Sequence, residues 1–559
     1  MEGDYAAADL GAESLYFLPL GGTGEIGMNL NLYGHKGVWL MVDLGITFAD
    51  GRLPGIDVLM PDSIFIEERR EDLAGLVLTH AHEDHIGAVP YLWPMLRCPV
   101  YATGFTAALL RRKLAEFGLL DEVPLTEVPL SGRFSVGPFE IELITLTHSI
   151  PEPNAVVIRT GAGTVLHTGD WKLDPDPLVG DNYDELRLKA LAEEDVLAMV
   201  GDSTNAMVPG EAGSESEVRE HLRAVISGLK QRVAVACFAS NVARLETVIR
   251  VAEETGRRVC LLGRSMHRIV ECAEESGYLK GHAPFLSDDE IDYLPRDEVM
   301  LLCTGSQGEP RAALWRLARG DHPTVALDRG DAVVFSSRVI PGNETKILEL
   351  QNALVEAGID IIDDRDHDIH VSGHPGREEL IQMYQWVRPR VAVPVHGEPR
   401  HLAAHAQIAK ECQVPQQIVA RNGAMIQLAP GEARIVDQVP SGRLAYEGRR
   451  LLPLSSPVVK SRQKMVFNGA AAVTVVLDER GQLDGDPEIS TAGLFEPQEE
   501  REELEELDRA VRDAVQRLGK RERRDDMAVE EVVGQALRRT VNRLLGKKPV
   551  TMVHVIRFE

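Results

Sequence analysis

Thr79-His80-Ala81-His82-Glu83-Asp84-His85-Ile86-Gly87 follows directly on the apolar run Gly75-Leu76-Val77-Leu78, and this junction decides how the chain is read. A short apolar run of this kind reads as a buried strand. It ends in four potential ligands, His80, His82, Asp84 and His85, within six residues. Imidazole nitrogens suit Zn²⁺, and a carboxylate adds the harder oxygen that Mn²⁺ or Mg²⁺ also accepts. The competing reading is a polar surface loop that happens to hold three histidines. With 17 histidines in 559 residues a lone His is uninformative, but HxHxDH behind a strand is a metal pattern.

The rest of a ligand set is sought where other apolar strands end in His or Asp. Leu143-Ile144-Thr145-Leu146-Thr147 runs into His148, Val165-Leu166-His167-Thr168-Gly169 into Asp170, and Val391-Ala392-Val393-Pro394-Val395 into His396. Grouping His80, His82 and His148 around one ion, and Asp84, His85 and His396 around another, leaves Asp170 to bridge. Two such ions, roughly 3.5–4 Å apart, share a hydroxide and stabilise both oxygens of an in-line phosphoryl displacement. His167 lies short of its strand's end on the opposite face from Thr168, so it reads as core or as support for a ligand.

HAHEDH, THS, HTGDWK and PVHGE are, in order, motifs that resemble those of the metallo-β-lactamase superfamily. Gly201-Asp202-Ser203-Thr204-Asn205, Phe238-Ala239-Ser240-Asn241, Thr304-Gly305-Ser306-Gln307-Gly308-Glu309 and His370-Val371-Ser372-Gly373-His374 resemble its β-CASP nucleic-acid branch. With Leu20-Gly21-Gly22-Thr23-Gly24-Glu25-Ile26-Gly27 and Pro341-Gly342-Asn343-Glu344 the resemblance narrows to the bacterial ribonuclease J family, over roughly residues 15 to 450. Two departures stand out. Arg338-Val339 sits where the family usually has a shorter proline-containing turn, and Pro375-Gly376 follows SGH.

The resemblance implies an α/β fold: a metallo-β-lactamase αββα sandwich with an inserted β-CASP domain and a small C-terminal α+β domain. It implies a metal-dependent ribonuclease with 5′-to-3′ exonuclease and endonuclease activity on single-stranded RNA, serving RNA maturation, rRNA processing and mRNA decay. Ser240, Asn241, Gly305, Ser306, His370, Val371, Ser372, Gly373 and His374 would form the pocket for a 5′-monophosphate. His370, Ser372 and His374 alternate along an extended segment, so all three can face one side. Asp84 would orient the hydroxide, and His374, by analogy with the branch, would protonate the leaving 3′ oxygen. Asp202 would hold its imidazole, unless it merely caps the turn through Ser203 and Thr204. Local turn chemistry is the competing reading for Gly305, Ser306 and Ser372. Two divalent ions are implied, Zn²⁺ first, with Mn²⁺ or Mg²⁺ open for the working enzyme. A homodimer or tetramer, and partners in an RNA-degradation complex, come from the resemblance alone. A small-molecule hydrolase would not need the inserted domain or HxSGH. A DNA nuclease differs only in contacts to the 2′-hydroxyl, and the seven intact ligand positions argue against a non-catalytic scaffold.

Composition is ordinary, at 44% hydrophobic and 26% charged residues. No apolar run reaches a membrane span, and Met1-Glu2-Gly3-Asp4 is acidic rather than signal-like. Six scattered cysteines without CxxC read as buried thiols of a cytoplasmic protein. The net charge of −27 is the wrong sign for holding RNA by bulk attraction, so positive potential must be local. Arg244, Arg264, Arg311, Arg338 and the group Arg449, Arg450, Lys460, Arg462, Lys464 are the candidates.

Residues 1–212 carry strands and most ligands. Residues 213–357 alternate helix and strand, opening on a capping box at Ser214-Glu215-Ser216-Glu217, with parallel strands at Val233, Val259, Met300 and Val333. Residues 358–450 return to supply His396, so the middle domain is an insertion. Residues 451–465 read as a linker. A closing domain, 466–559, begins with a strand at Ala470–Leu477; helices near 499–524 and 529–545 and a strand at 550–556 follow. Its acidic run Glu496-Pro497-Gln498-Glu499-Glu500 reads as a solvated helix start.

Overall fold

Strand ends are where this chain keeps its chemistry, and the fold gathers them. The computed structural model describes residues 13–496 and 499–558, so Met1-Glu2-Gly3-Asp4 and the Pro497-Gln498 part of the acidic run lie outside the described residues. The chain divides into two compact units, one running to Thr47 and resuming over Met60–Gly442, the other comprising Phe48–Leu59 and Arg443–Glu559.

In the first unit two sheets face each other. One has eight strands in the order Arg434–Gln438, Ala424–Ala429, Leu15–Gly21, Leu30–His35, Val38–Val42, Leu73–Val77, Val100–Ala102, Leu125–Glu127. The other has seven, in the order Gln416–Gln417, Val391–Val395, Val196–Asp202, Gly163–His167, Asn154–Thr160, Phe139–Thr145, Arg133–Val136. Phe17, Leu40, Val42 and Val77 from the first meet Leu143, Val156, Ile158, Val200 and Val393 from the second in one buried core. The far face of the seven-stranded sheet is covered by Leu188, Leu380, Met383, Tyr384 and Ile408, on helices Glu185–Ala190, Arg377–Val387 and Pro399–Glu411. The central strands of both sheets are buried on both faces and read as near-continuous apolar runs, while the edge strand Arg434–Gln438 is exposed throughout.

Direction along the sheet matters more than its size. Gly163–His167, Val196–Asp202 and Val391–Val395 are parallel neighbours, with His167 beside Val200 and Asp202 beside Val395. Their C-terminal ends therefore leave the sheet at one edge. In the other sheet Val38–Val42 and Leu73–Val77 are also parallel, which brings Asp43 and Thr79 out together.

Between these halves the chain builds a five-stranded parallel sheet, ordered Arg258–Leu262, Val299–Cys303, Val233–Ala236, Ala332–Phe335, Asp360–Ile362. Its last strand lies beyond the expected boundary at 357, because the chain turns at Gly358 (φ +80°) and buries Ile359 before pairing. Ser214 does cap the opening helix, accepting from the Ser216 amide at 3.2 Å. The expected capping box is not completed, and the buried carboxylate in this turn is Glu215, engaged by Arg244 at 2.9 Å.

The second unit holds a three-stranded sheet ordered Glu488–Ala492, Ala470–Leu477, Val550–Arg557. Helices Arg501–Arg517 and Asp526–Leu545 cover it through Val473, Val475, Leu507, Val511, Val533 and Leu537. Residues 451–465, expected as a linker, instead carry the end of the strand Arg450–Pro453 and most of the helix Pro457–Asn468. Pro457 occupies the first turn, where its missing N–H costs nothing, and Ser456 caps the Val458 amide at 3.3 Å. All six cysteines are free, and only Cys412 is less than fully buried. Among the described residues no helix is long and apolar enough to cross a membrane.

Candidate active site

The HAHEDH loop is held by backbone before any side chain acts. The amides of Asn29, Leu44 and Ile46 donate to the carbonyls of Asp84, His85 and Glu83 at 3.0, 2.7 and 2.9 Å. Gly45 is needed because a Cβ there would lie 1.7 Å from the Asp84 carbonyl oxygen. Asp43 leaves its strand with φ +63°, and its carboxylate accepts from the Thr79 amide at 2.8 Å and the Thr79 hydroxyl at 2.9 Å. His396 leaves its own strand with φ +50°, fixed by its amide donating to Gly22 and its carbonyl accepting from Thr204. A left-handed conformation costs a β-carbon-bearing residue roughly 1–3 kcal/mol, so such positions persist only where neighbours enforce them.

The seven candidate ligands come together in the grouping expected from the strand ends. Donor atoms of His80, His82, His148 and Asp170 lie within 4.8 Å of one another, as do those of Asp84, His85, Asp170 and His396. His82 Nδ1 is 3.1 Å from both His80 Nε2 and His148 Nε2. Asp170 Oδ2 is 3.1 Å from His85 Nε2, 3.4 Å from His396 Nε2 and 3.9 Å from His80 Nε2. Ligand atoms around a tetrahedral ion with 2.0–2.1 Å bonds are spaced by roughly 3.3 Å.

Proton positions make the same point. The Gly373 carbonyl can only accept, so His148 Nδ1, 2.5 Å away, carries the hydrogen and Nε2 of the neutral ring is bare. The Thr79 hydroxyl gives its proton to Asp43, so it accepts from His80 Nδ1 at 3.0 Å and bares His80 Nε2. Asp43 likewise takes the Nδ1–H of His85 at 2.7 Å. Asn29 donates to the Asp84 carbonyl, which turns its Oδ1 toward His396 Nδ1 at 3.0 Å. Lone pairs therefore converge on the cluster, and among the described residues the buried His396 Nε2 and Asp170 Oδ1 have no hydrogen-bond partner. A cation is what satisfies such a cluster. Burial, and then the neighbouring imidazoles, hold His80 and His148 well below the usual histidine range. At His85 burial opposes charge, but Asp170, Asp84 and Asp43 outweigh it and favour a positive charge there. A metal ion supplies that charge as well as a proton does.

Asp43 and Asn29 escaped the sequence reading. Asp43 was open to it, since Val38–Val42 is one more apolar strand ending in a carboxylate. Asn29 was not, because its partner His396 is 367 residues away. His167 meets the expectation of a supporting or core residue: buried, its Nδ1 is 3.0 Å from the Tyr33 hydroxyl, and it joins none of the clusters.

Beside the cluster, His374 Nδ1 lies 2.7 Å from Asp202 Oδ2, and the other Asp202 oxygen accepts from the Thr204 amide at 2.9 Å. Orienting the imidazole and capping the turn are thus both true of Asp202. Burial resists protonation of His374, yet Asp202 and Asp170 raise it to about 9. Gly373 cannot carry a side chain, because a Cβ would sit 2.5 Å from the His148 ring.

The remaining pocket candidates are more committed to the scaffold than expected. Asn241 caps helix Val242–Glu254, accepting from the Arg244 amide at 2.8 Å. Val371 is buried and packs its methyl toward Gly213, so only its backbone is left for a ligand. Ser372 Oγ accepts from Asn205 Nδ2 at 2.7 Å and from the His374 amide at 3.2 Å, which leaves its own proton to donate. His370, Ser372 and His374 do not lie on a strand; the chain bends at Gly373 and His374, and His370 Nδ1 is 3.5 Å from the Arg244 guanidinium. Ser240 and Asn241 follow one strand of the inserted sheet, and Gly305 and Ser306 follow its parallel neighbour. They lie at the carboxyl edge, where the strand order reverses and open sheets bind ligands. Arg244, a candidate RNA contact, is fully buried on Glu215, Ser336 and the Ile369 carbonyl, and is a structural residue.

Family models match as metallo-beta-lactamase superfamily over residues 27–224, Ribonuclease J beta-CASP domain over 230–354, Zn-dependent metallo-hydrolase RNA specificity domain over 364–415 and Ribonuclease J C-terminal domain over 457–558. The chain is 47% identical to a ribonuclease J of Sinorhizobium meliloti over 97% of both chains. The chain belongs to the ribonuclease J family. A ribonuclease J of Mycolicibacterium smegmatis is 39% identical over 94% of each chain. A solved Enterococcus faecalis protein of unknown function shares the fold, at 16% identity and TM-score 0.52, covering 74% of this chain and 100% of its own. Membership makes the chain a ribonuclease hydrolase that binds RNA, and the His/Asp clusters fit the divalent-metal binding of the matched Zn-dependent metallo-hydrolase family.

Proposed function

We propose that this ribonuclease is a 5′-to-3′ exonuclease on 5′-monophosphorylated single-stranded RNA, with accompanying endonuclease activity, in RNA maturation and mRNA decay. The observation that carries it is the path of residues 369–373. The Ile369 carbonyl is held at the inserted sheet by Arg244, and the Gly373 carbonyl is held at the His cluster by His148. Four residues span at most about 14 Å. A terminal phosphate bound at the sheet edge, by Ser240, Asn241, Gly305, Ser306, His370 and Ser372, is thus a short, fixed distance from the cleavage site. Only an end with a phosphate fits that ruler.

His80, His82, His148 and Asp170 would hold one ion, and Asp84, His85, Asp170 and His396 the other, with Zn²⁺ preferred by five imidazoles and Mn²⁺ or Mg²⁺ as alternatives. When bound, two such ions supply the nucleophile and neutralise charge on the phosphate. The chain's own residues do the rest. Asp84, partly buried, orients the attacking oxygen. Asp202 holds His374 Nδ1–H, so Nε2 faces the reaction and gives its proton to the leaving 3′ oxygen. The product keeps the 5′-phosphate. We assign 1–212 and 358–450 to the metallo-hydrolase domain and 213–357 to the insertion, whose sheet extends to 362. The enzyme is cytoplasmic, consistent with its free thiols, and assembles as a dimer or tetramer that RNA-degradation partners can join.

The test is a 5′-monophosphorylated single-stranded RNA labelled at its 5′ end, beside a 5′-hydroxyl RNA labelled elsewhere in its chain, matched DNA and the His374→Ala enzyme. Early labelled mononucleotide from the monophosphate alone, lost in His374→Ala, is expected. Labelled fragments of intermediate length as first products would overturn exonucleolysis in favour of internal cleavage.

A further inference from the structure

We propose that Arg338 is the cation that receives a phosphate of the RNA strand beside the Ser372–His374 segment. A chain of net charge −27 must present positive potential locally to hold a polyanion. Three cations bear on His370: Arg244, Arg338 and Lys172. Two of them are neutralised in place. Arg244 is buried against Glu215 at 2.9 Å, and Lys172 is buried against Asp174 at 2.8 Å. Arg338 is exposed and, among the described residues, enters no ion pair. Asp364 feels its charge without pairing with it, and Asp363 beside that acid is engaged with Arg365.

Position singles out the same residue. Arg338 follows the strand Ala332–Phe335, which is the parallel neighbour of Val233–Ala236 on the side opposite Val299–Cys303. Its loop therefore leaves the same carboxyl edge, across the reversal of strand order from the Gly305–Ser306 loop. The backbone there is fixed: Gln307 donates to the Arg338 carbonyl at 2.9 Å and accepts from the Ile340 amide at 2.9 Å. The guanidinium Nη1 comes within 3.5 Å of Asn205 Oδ1, while Asn205 Nδ2 donates to Ser372 Oγ at 2.7 Å and the His374 carbonyl at 3.1 Å. One amide thus ties the side chain to the segment that carries the general acid. A planar fork with five donors, one of them resting on a neutral amide, suits a phosphate that arrives beside it.

The inference rests on the ribonuclease reading of the site but not on the direction of attack. It is tested on the full-length, metal-loaded protein with His374→Ala to slow cleavage. Anisotropy of labelled single-stranded RNA is followed between about 50 and 300 mM salt, with 5′-monophosphate and 5′-hydroxyl ends. Arg338→Gln is expected to weaken binding roughly tenfold at the low-salt end and to flatten the log–log salt slope by about 0.7. Arg338→Lys should keep the slope and lose only part of the affinity, since the charge stays and the fork goes. Loss on both RNAs assigns the contact to an internal phosphodiester; loss on the monophosphate alone assigns it to the terminal phosphate. An unchanged slope in Arg338→Gln overturns the proposal, whatever happens to the melting temperature. Whether wild-type enzyme prefers the monophosphate end is read separately, so failure of the exonuclease reading leaves this result standing.

Discussion

Glu142 and Asp170 are both buried carboxylates supplied by the seven-stranded sheet, and they end in opposite states. Glu142 is 4% exposed and accepts from Arg187 at 2.7 and 2.9 Å, from Arg133 at 2.8 Å and from Arg159 at 2.5 Å. Its cations are in place, and the cluster is complete. Asp170 is 3% exposed, faces imidazole nitrogens bared by their own rear partners, and keeps one oxygen without a hydrogen-bond partner among the described residues. Both carboxylates are held ionised. At Glu142 the Arg187 hydrogen bonds lead, and against burial they lower it to about 2. At Asp170 burial works the other way but is overcome by His396, His85 and His374 in their protonated forms, which put it well below the carboxylate range. A buried charge that brings its own counter-charge is architecture. One ringed by imidazole nitrogens and a second carboxylate fits a metal ion.

That contrast is broken or sharpened by four substitutions. Asp170→Asn should have the largest effect, because one carboxylate serves both clusters. Ribonuclease activity is expected to fall about 10³-fold or more, and added Zn²⁺, which should raise the melting temperature of metal-stripped wild type, should no longer do so. Retained metal content by elemental analysis would show that Asp170 is not shared. Asp202→Asn comes next, by analogy with other groups that hold a catalytic imidazole. We expect kcat to drop about 10²-fold with metal content unchanged, because His374 loses its orientation and its stabilised charge; a parallel loss of metal would move Asp202 into the ligand set.

Asp43→Asn probes the rear of the cluster. Losing the carboxylate behind His85 should weaken metal affinity about 10- to 100-fold, read by competition with a chelator, while kcat at saturating metal changes little. Glu142→Gln should leave activity untouched and lower stability by about 2–3 kcal/mol at pH 7. The sign follows from a folded value near 2, below the ordinary glutamate value near 4.5. The stabilisation is present above the unfolded value and is lost as pH falls from about 4.5 toward 2. The gap between wild type and variant in denaturant melts should therefore close across that window. A gap that persists at the acid end would mean the loss is one of packing.

The residues that could be read from the sequence share one property: their meaning is local. A buried strand announces itself by its apolar run, and a candidate ligand at its end announces itself by type, so the clustering candidates His80, His82, Asp84, His85, His148, Asp170 and His396 were visible one motif at a time. Helix and strand in the C-terminal region were legible for the same reason, from Ala470–Leu477 to Asp526–Leu545. The sequence erred where local pattern is weak evidence. Prolines in 451–465 suggested a linker, although Pro457 opens a helix, and the arginines looked alike until Arg244 proved buried and Arg338 exposed.

The sequence by itself therefore determined the chemistry of the cluster and the order in which its parts arrive, since apolar period and donor type are properties of short segments. Only the tertiary structure decided which nitrogen of each ring is bare, because that depends on partners brought from afar. Gly373 meets His148 across 225 positions and Asn29 meets His396 across 367. It also decided that Asn205 joins Arg338 to the His374 segment. Such contacts exist only once parallel strands have delivered their ends to one edge, and no spacing along the chain encodes them.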